Sequence, residues 1–406
     1  MKNSLKVNPL RISHALALHG KEEEERVLKV LRERRTMMGR ETTEFENRVA
    51  KLFGKKYGVM VNSGSSANLL AIELINLPKG SEVITPILTF ATTVAPLVQK
   101  GLIPVFVDVV EGKYTIDEEQ VEAAISKKTK ALMIPTLMGN LPDLERLQKI
   151  AKKYNLLYID DSCDSLGSLY QGKPTGAYSD ISTTSTYGSH IITSGGNGGM
   201  LMVDREDLRD RAKMLRGWGR SSAIFAESEK IEDRFSSKIG QTPYDGKFIF
   251  EEIGYNLLPM EIGAAFGNAQ LAKLKSFIKI RDRNAKYLIK FFSKYPEYFT
   301  VPVIDKGCKA RFLYFPVTIK KAAPFSRLEF VTFLERNNIQ TRPIFTGNIL
   351  KQPGFKNIPH RDTQKSYDVT EDIMERGIVL GLHQGLTLEH LDKLTEVVDG
   401  FLKKYT

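Results

Sequence analysis

Between residues 57 and 203, short apolar segments alternate with helical ones, an order that few folds accommodate. The apolar segments have the length and β-branched content of buried strands, and they lie at residues 57–61, 83–85, 105–109, 131–135, 156–160, 181–185 and 200–203. Helical patterns separate some of them, at residues 66–75, 117–126 and 144–154. This alternation predicts an α/β fold whose sheet is mostly parallel and covered on both faces.

The rest of the chain indicates a second, smaller domain. A long helical pattern at residues 260–294 is suited to connecting two domains. A strand-like segment at 312–319 and a helix capped by Ser326 follow it. Because 406 residues exceed one ordinary core, we predict a large domain over residues 1–280 and a smaller C-terminal α/β domain over residues 281–406.

Charge and cysteine content narrow the class of protein. Lys and Arg exceed Asp and Glu by 59 to 48, a formal net charge of +11 that is spread along the chain. Such an excess indicates a solvated surface, or a mild field that attracts an anionic substrate such as a nucleotide sugar. There is no secretory pattern in residues 1–10, no apolar run of about 18 residues and no nucleic-acid motif. With only Cys163 and Cys308, we expect a cytoplasmic chain without metal, membrane insertion or nucleic-acid partner.

Small and hydroxyl-bearing residues join the first predicted strand to its helix: Ser63, Gly64, Ser65 and Ser66. Small residues let backbone N–H groups approach an oxyanion, and the helix N-terminus that follows adds a favourable dipole. The segment is therefore a candidate phosphate site, and a plain capped loop is the alternative.

Two acidic residues, Asp160 and Asp161, stand at the end of the fifth predicted strand. Open α/β sheets bind their ligands at this edge. The pair is suited to ligating a metal or to capping the next helix. A third use is to place a carboxylate against a protonated ring nitrogen, as electron-withdrawing cofactors require.

Ser185 ends the sixth predicted strand, and His190 and the glycine-rich run 195–199 follow it. The glycines allow an unusual backbone path beside whatever Ser185 and His190 contact. The histidine is either a structural hydrogen-bonding group or a catalyst. A further segment, Gly254-Tyr255-Asn256, precedes the long helix, and its residue types alone assign it no role.

In their order and spacing, these motifs resemble the DegT/DnrJ/EryC1/StrS family of sugar aminotransferases over nearly the whole chain. The motifs are Glu44-Phe45-Glu46, Ser63-Gly64-Ser65, Thr89-Phe90, Asp161, Ser185, Gly198-Gly199 and Gly254-Tyr255-Asn256. The resemblance implies fold type I of the pyridoxal-phosphate (PLP)-dependent transferases, the fold of aspartate aminotransferase. It also implies a homodimer with shared active sites, in which PLP or pyridoxamine phosphate (PMP) is bound by Gly64, Ser65, Phe90, Asp161, Ser185 and the second subunit's copy of Asn256. A core position is the alternative for Phe90.

His190 departs from the family's S-F-x-x-x-K motif, whose lysine holds the cofactor covalently. This departure resembles the branch of nucleotide-linked 4-keto-6-deoxyhexose 3-dehydratases, which work from PMP, and the segments 161–167, 217–220 and 341–348 resemble that branch as well. The resemblance implies that His190 is a general base and that Asp161 keeps the cofactor ring protonated. The C3 hydroxyl would leave as water, and glutamate would restore the amine.

Cysteines divide this branch into two groups. One group carries an iron–sulfur cluster on C-x57-C-x-C-x7-C and receives electrons from a reductase, whereas the group typified by colitose synthesis has neither. Cys163 matches the first ligand, but Ser221 or Ser222 stands at the next position, and a cluster needs about four thiolates. The chain is therefore expected to lack the cluster. Ile191, in place of a second histidine, and a longer glycine loop set this chain apart from the branch.

Arg220 and Arg342 are candidates for binding the substrate diphosphate or the glutamate carboxylate, and surface ion pairs are the alternative. We predict a cluster-free 3-dehydratase in deoxysugar biosynthesis for O-antigen or other polysaccharides. Three other functions remain open: a sugar aminotransferase that uses another lysine, a reductase-coupled iron–sulfur dehydratase, and a catalytically silent cofactor-binding protein.

Overall fold

The computed structural model of the chain describes residues 10–225 and 229–405, so the expectation about a secretory pattern in residues 1–10 falls almost wholly outside them. The helices are α1 Lys21–Arg32, α2 Arg40–Leu52, α3 Gly64–Ile75, α4 Ala91–Gln99, α5 Glu118–Val121, α6 Leu144–Lys153, α7 Glu206–Arg216, α8 Ile231–Arg234, α9 Glu261–Phe292, α10 Arg327–Arg336, α11 Asp368–Arg376 and α12 Leu388–Leu402. The strands are β1 Tyr57–Val61, β2 Glu82–Pro86, β3 Ile103–Val107, β4 Thr129–Pro135, β5 Leu157–Asp161, β6 Leu169–Tyr170, β7 Lys173–Pro174, β8 Ile181–Ser185, β9 Gly199–Val203, β10 Lys238–Ile239, β11 Thr242–Pro243, β12 Phe299–Thr300, β13 Cys308–Lys309, β14 Phe315–Ile319, β15 Thr341–Arg342, β16 Arg361–Asp362 and β17 Gly377–Leu380.

An eight-stranded sheet, in the order β1-β9-β8-β5-β4-β2-β3-β16, forms the centre of the molecule. The block from β8 to β16 is parallel, whereas β9 pairs antiparallel with both β1 and β8. All seven predicted strands are confirmed in this sheet, with ends that shift by at most two residues. The fold is thus α/β with a mostly parallel sheet, as predicted.

Alternating residues of the central strands pack against different helices. Ala131 and Met133 of β4 share a core cluster with Leu70 of α3. Their neighbours on the strand, Leu132 and Ile134, belong instead to a cluster that contains residues of α6. Because successive strand residues point to opposite faces, α3 and α6 cover opposite sides of the sheet. This is why β4 is apolar without alternation from Ala131 to Pro135.

The C-terminal part contains a second sheet, in the order β12-β14-β17-β15, whose pairings are antiparallel. The helix α9, predicted at residues 260–294, spans Glu261–Phe292 and precedes this sheet. The predicted capping box of Ser326 begins α10, with the Ser326 hydroxyl accepting from the Glu329 N–H. The proposed domain division between residues 280 and 281 falls inside α9 and stays a prediction.

One helix differs from its prediction. The segment 117–126 forms only the single turn α5, because the chain then folds into turns that lead to β4. The N–H of Ser126 donates to the Thr129 hydroxyl and closes the last of these turns. Among the described residues, no helix combines the length and apolarity needed to cross a membrane.

Candidate functional site

A cavity of about 560 Å³ opens at the carboxyl edge of the parallel strands, where ligands of open α/β sheets bind. The parallel strands β5 and β8 end at this edge, and α3 begins there. Seven predicted site residues line the cavity: Gly64, Ser65, Phe90, Asp161, Ser185, His190 and Arg342. The other two predicted residues, Arg220 and Asn256, are not part of its lining.

Asp161 ends β5 and is held by hydrogen bonds from two other elements. Its Oδ2 atom accepts from Asn68 Nδ2 and from the Thr93 hydroxyl, each at 2.8 Å. Its Oδ1 atom accepts only a long bond, 3.3 Å, from the N–H of Cys163 among the described residues. One carboxylate oxygen is therefore fixed by the protein, whereas the other can accept a hydrogen bond from a ligand.

Gly64, at the start of α3, lies against the end of β8. A Cβ atom added at Gly64 would lie 2.6 Å from Ser185 Cβ and 3.0 Å from Cys163 Sγ, closer than packing allows. In the glycine-rich run, a Cβ atom at Gly199 would lie 2.2 Å from the carbonyl oxygen of Ser63. The glycines thus bring three backbone segments together around the first turn of α3, whose N–H groups have no acceptor within the helix.

Hydroxyl groups surround this helix start. The Ser63 side chain caps α3 by accepting from the N–H of Ser66. The Ser65 hydroxyl donates to Thr92 Oγ1 at 3.0 Å, and the Ser185 hydroxyl accepts from the N–H of Tyr187 at 3.2 Å. Backbone N–H groups, a helix dipole and hydroxyl donors therefore converge on one end of the cavity, a combination suited to a phosphate group.

The ring of His190 meets the main chain that follows β5. Its Nδ1 atom lies 2.9 Å from the carbonyl oxygen of Cys163. A carbonyl only accepts, so the proton of the neutral ring is on Nδ1 and Nε2 is free to take a proton. Burial lowers the pKa of His190 to about 4, the bond to Cys163 opposes this, and the charge of Arg281 adds to the lowering.

The two acidic residues at the end of β5 have different surroundings. Asp160 is fully buried, and both of its oxygens accept from the Ser162 hydroxyl. Burial raises the pKa of Asp160 to about 7. A third carboxyl group, Asp164, lines the cavity, and its pKa is also raised by burial to about 7. Sequence reasoning did not select Asp164, although it lies in a segment that resembles the 3-dehydratase branch.

Phe90 is half exposed, with its ring 5.6 Å from that of Phe345 at an interplanar angle of 70°. It is therefore a cavity residue and not part of the core. Sequence reasoning also did not select His14 and Tyr314, which line the cavity with ring centroids 5.7 Å apart. His14 precedes the first helix, and its residue type alone gave no signal.

The two arginine candidates have different positions. Arg342 lines the cavity, and its Nη1 atom donates to the carbonyl oxygen of Thr341. Arg220 instead lies over the rings of Trp218, at 4.5 Å, and of Phe248 and Phe250, each at 5.4 Å. Asn256 is exposed, and its backbone pairs with Gly217 in an isolated antiparallel β-bridge. Within one chain, neither Arg220 nor Asn256 therefore lines the cavity that holds the other candidates.

No group of three or more His, Cys, Asp or Glu side chains that could hold a metal ion occurs in residues 10–225 and 229–405. The cysteines lie apart, with Cys163 at the cavity and Cys308 on β13.

Comparison with known proteins gives matches along most of the chain. Residues 18–399 match the sequence model of the DegT/DnrJ/EryC1/StrS aminotransferase family. The chain is 37% identical over 374 residues to the lipopolysaccharide biosynthesis protein RfbH of Salmonella typhimurium, covering 89% of this chain and 85% of the relative. It is 35% identical over 411 residues to the dTDP-4-dehydro-2,6-dideoxy-D-glucose 3-dehydratase of Saccharopolyspora spinosa, covering 98% and 87%.

Solved structures agree with the fold. The E. coli GDP-4-keto-6-deoxy-D-mannose-3-dehydratase with bound hydrated PLP has a TM-score of 0.87 and 31% identity, covering 96% of this chain and 100% of that one. A GDP-4-keto-6-deoxymannose-3-dehydratase with a trapped PLP-glutamate geminal diamine has a TM-score of 0.87 and 30% identity, covering 95% and 99%. The relatives also include the GDP-perosamine synthase of Caulobacter vibrioides, 27% identical over 365 residues and covering 90% and 91%. These likenesses confirm the predicted fold class and family resemblance.

Proposed function

Because the chain belongs to the DegT/DnrJ/EryC1/StrS aminotransferase family, we propose that it removes the C3 hydroxyl of a nucleotide-linked 4-keto-6-deoxy sugar, using PLP and PMP, in deoxysugar biosynthesis. One observation carries the proposal. At the fifth position after Ser185, where the family motif has its lysine, the cavity has the imidazole of His190 with Nε2 unprotonated. Such a group does not hold the cofactor covalently but can move a proton, which favours dehydration from the amine form over transamination.

The cavity residues fit a pyridoxal-type cofactor. Asp161 Oδ1 is available to accept from a protonated ring nitrogen, while Asn68 and Thr93 hold Oδ2. The first N–H groups of α3, with the hydroxyls of Ser65 and Ser185, suit the phosphate. Phe90 is exposed enough to stack on a ring. When bound, the cofactor supplies an amine that condenses with a ketone and a ring that accepts electrons.

In this proposal His190 is the general base. Its Nε2 atom accepts the proton that the reaction removes from the cofactor–substrate adduct. The bond from Nδ1 to the Cys163 carbonyl holds the ring in one orientation. The lowered pKa keeps Nε2 unprotonated at neutral pH. Asp161 keeps the ring nitrogen protonated, because its carboxylate favours the positive charge.

Arg342 is the proposed contact for an anionic group of a substrate, either the nucleotide diphosphate or a carboxylate of glutamate. The structure of a related dehydratase with a PLP-glutamate adduct supports glutamate as the amino donor. The net charge of +11 favours both anions.

We also propose that two chains share each active site. Asn256 and Arg220 do not line the cavity of their own chain, and exposed apolar residues, Phe250, Ile253 and Met260, lie near them in sequence. A second copy that covers this surface would bring Asn256 to the cofactor phosphate of its neighbour.

No iron–sulfur cluster is part of the proposal. A cluster needs about four thiolates, and the chain has two cysteines. Iron analysis of the purified protein checks this point, because stoichiometric iron and a brown colour would support the reductase-coupled reaction instead.

A mass-spectrometric assay tests the reaction. The protein is incubated with PLP, glutamate and a GDP-, CDP- or dTDP-linked 4-keto-6-deoxyhexose. Loss of the C3 oxygen supports dehydration. Gain of an amine at C4 supports the second candidate, a nucleotide-sugar aminotransferase, which the likeness to GDP-perosamine synthase favours. Neither product, with all three nucleotides, would favour a catalytically silent protein.

A further inference from the structure

One buried charge has no part in the proposed reaction. Arg281, on α9, is 2% exposed. Its guanidinium donates to the carbonyl oxygens of Phe312, at 3.2 and 3.3 Å, and of Leu313, at 2.5 Å. It also donates to Gln384 Oε1 at 2.8 Å. In the described part of the chain, all of these acceptors are neutral oxygens.

A buried arginine without a carboxylate partner is costly, because no ion pair repays the desolvation of its charge. The adjacent carboxylate, Asp282, pairs with Arg311 at 2.6 Å instead. Burial lowers the pKa of Arg281 to about 10, so the guanidinium is still protonated at neutral pH. The guanidinium donates to buried oxygens that an apolar side chain would leave without this donor, and it connects α9 to Leu313 and to Gln384.

The hydrogen bonds of Arg281 lead to the base of the proposed reaction. Leu313, one of its acceptors, lines the cavity. A second connection runs through Gln384, which accepts from Arg281 and whose Nε2 atom donates to the carbonyl oxygen of Ile191 at 3.4 Å. Ile191 directly follows His190 in the chain. Arg281 is thus connected to the turn that carries the imidazole, and its charge also lowers the pKa of His190.

We propose that Arg281 is a positioning residue: through Gln384 it holds the turn that carries His190. Burial is the main cause of the lowered pKa of His190, and the charge of Arg281 adds to it. The catalytic consequence rests on the proposed function, whereas the effect on His190 ionisation can be measured without substrate.

Several charged or titratable groups share the cavity with His190. They are His14, Asp161, Cys163, Asp164, Tyr187, Tyr314 and Arg342. The carboxylates favour the protonated ring. Arg281 lies on α9 and does not line the cavity, and its positive charge disfavours the protonated ring.

Two variants separate charge from geometry. Arg281→Met removes the charge and the hydrogen bonds, whereas Gln384→Met keeps the charge and removes the two bonds of Gln384, to Arg281 and to the Ile191 carbonyl. Arg283→Met is the matched control, because Arg283 lies on the same helix and also donates to neutral oxygens, those of Asn284 and Leu386.

The first measurement is an NMR titration of the histidines in the protein without cofactor, with His190→Asn to assign the signal. We expect the pKa of His190 to rise by about 1 in Arg281→Met and to stay unchanged in Gln384→Met and in the control.

The second measurement is the pH dependence of dehydration. In Arg281→Met the acid limb of kcat should move to higher pH by the same amount, because a protonated ring cannot act as base. In Gln384→Met the limb should stay in place while kcat falls, by up to about 100-fold for a misplaced group.

An unchanged His190 pKa in folded Arg281→Met would overturn the electrostatic part, and an unchanged kcat in Gln384→Met would overturn the positioning part. Circular dichroism checks the folding of each variant. If Arg281→Met does not fold, Arg281→Gln, which is neutral but polar, takes its place. If the His190 titration responds as expected and no dehydration is detected with any substrate, the proposed function fails and the inference about His190 ionisation stands.

Discussion

The imidazole of His190 donates from Nδ1 to the main-chain carbonyl oxygen of Cys163 at 2.9 Å. The two residues follow neighbouring parallel strands, β8 and β5, so the bond joins two loops at the carboxyl edge of the sheet. Because the acceptor is a backbone oxygen, the tautomer of the ring depends on the fold and not on the side chain at position 163. The free Nε2 atom is therefore a property of the strand arrangement.

The first prediction concerns the identity of the base. His190→Lys should lose dehydration by about 100-fold or more, the range ascribed to a general base. It should also gain the absorbance of a lysine-linked cofactor that borohydride reduces onto the protein. His190→Asn is the matched control, because it should lose dehydration without gaining that absorbance. If His190→Lys dehydrates as well as the parent, His190 is not the base.

The second prediction concerns the contact between α3 and β8. In Gly64→Ala the new methyl group would meet Ser185 Cβ at 2.6 Å, and overpacking of this kind costs about 1–3 kcal/mol. We expect a lower melting temperature and weaker PLP binding, because the first turn of α3 must shift. Gly354→Ala is the control, since an added Cβ there meets nothing within 4 Å. Thermal denaturation and a PLP titration followed by absorbance measure both effects, and equal values for the two variants would contradict the close approach.

The fold was largely predictable, because buried parallel strands are nearly continuous apolar runs whose ends are marked by polar or small residues. Residues 131–135 illustrate this: the segment is apolar throughout, and its predicted bounds differ from those of β4 by two residues at one end. The helix predicted at 117–126 was too long. The hydrogen bond from the Ser126 N–H to the Thr129 hydroxyl, which closes a turn there, produces no periodic pattern in the sequence.

The candidate site was predictable where its residues end strands or begin helices, as with Asp161 and Gly64. Its supporting contacts were not. Thr93 lies 68 residues from Asp161 in sequence, and Arg281 reaches Gln384 across 103 residues. Contacts of this kind depend on how elements pack, and a single sequence gives only the residue types.

The third prediction concerns the pH dependence of stability. Burial raises the pKa of Asp160 to about 7, above its model-peptide value of 3.8. Between these two pH values the folded chain keeps a proton that the unfolded chain has released, so the free energy of unfolding falls as the pH rises. Above about pH 7 the free energy of unfolding has fallen by the full amount that the Asp160 titration contributes. Asp160→Asn should therefore flatten the decline between pH 5 and pH 8, measured by urea denaturation without cofactor. Part of the decline should remain, because the pKa of Asp164 is raised in the same way.

Asp207→Asn is the control for this titration. Asp207 pairs with Arg205 on the surface, and its hydrogen bond to that arginine lowers its pKa. Its titration therefore ends below pH 5, and the variant should keep the slope of the parent. Identical slopes for Asp160→Asn and the parent would mean that the Asp160 carboxyl does not titrate in this range.

The last prediction tests the shared active site. Asn256 lies outside the cavity that contains His190 of the same chain, and we propose that it serves the cavity of a second copy. His190→Asn and Asn256→Ala should each be inactive alone. In a mixed dimer, one site would carry both changes and the other site neither. Random pairing of equal amounts should therefore recover about a quarter of the parental activity per total chain. Differently tagged chains that copurify verify that mixed dimers have formed. If such dimers form and stay inactive, each site is built from one chain, because a mixed dimer would then contain no intact site.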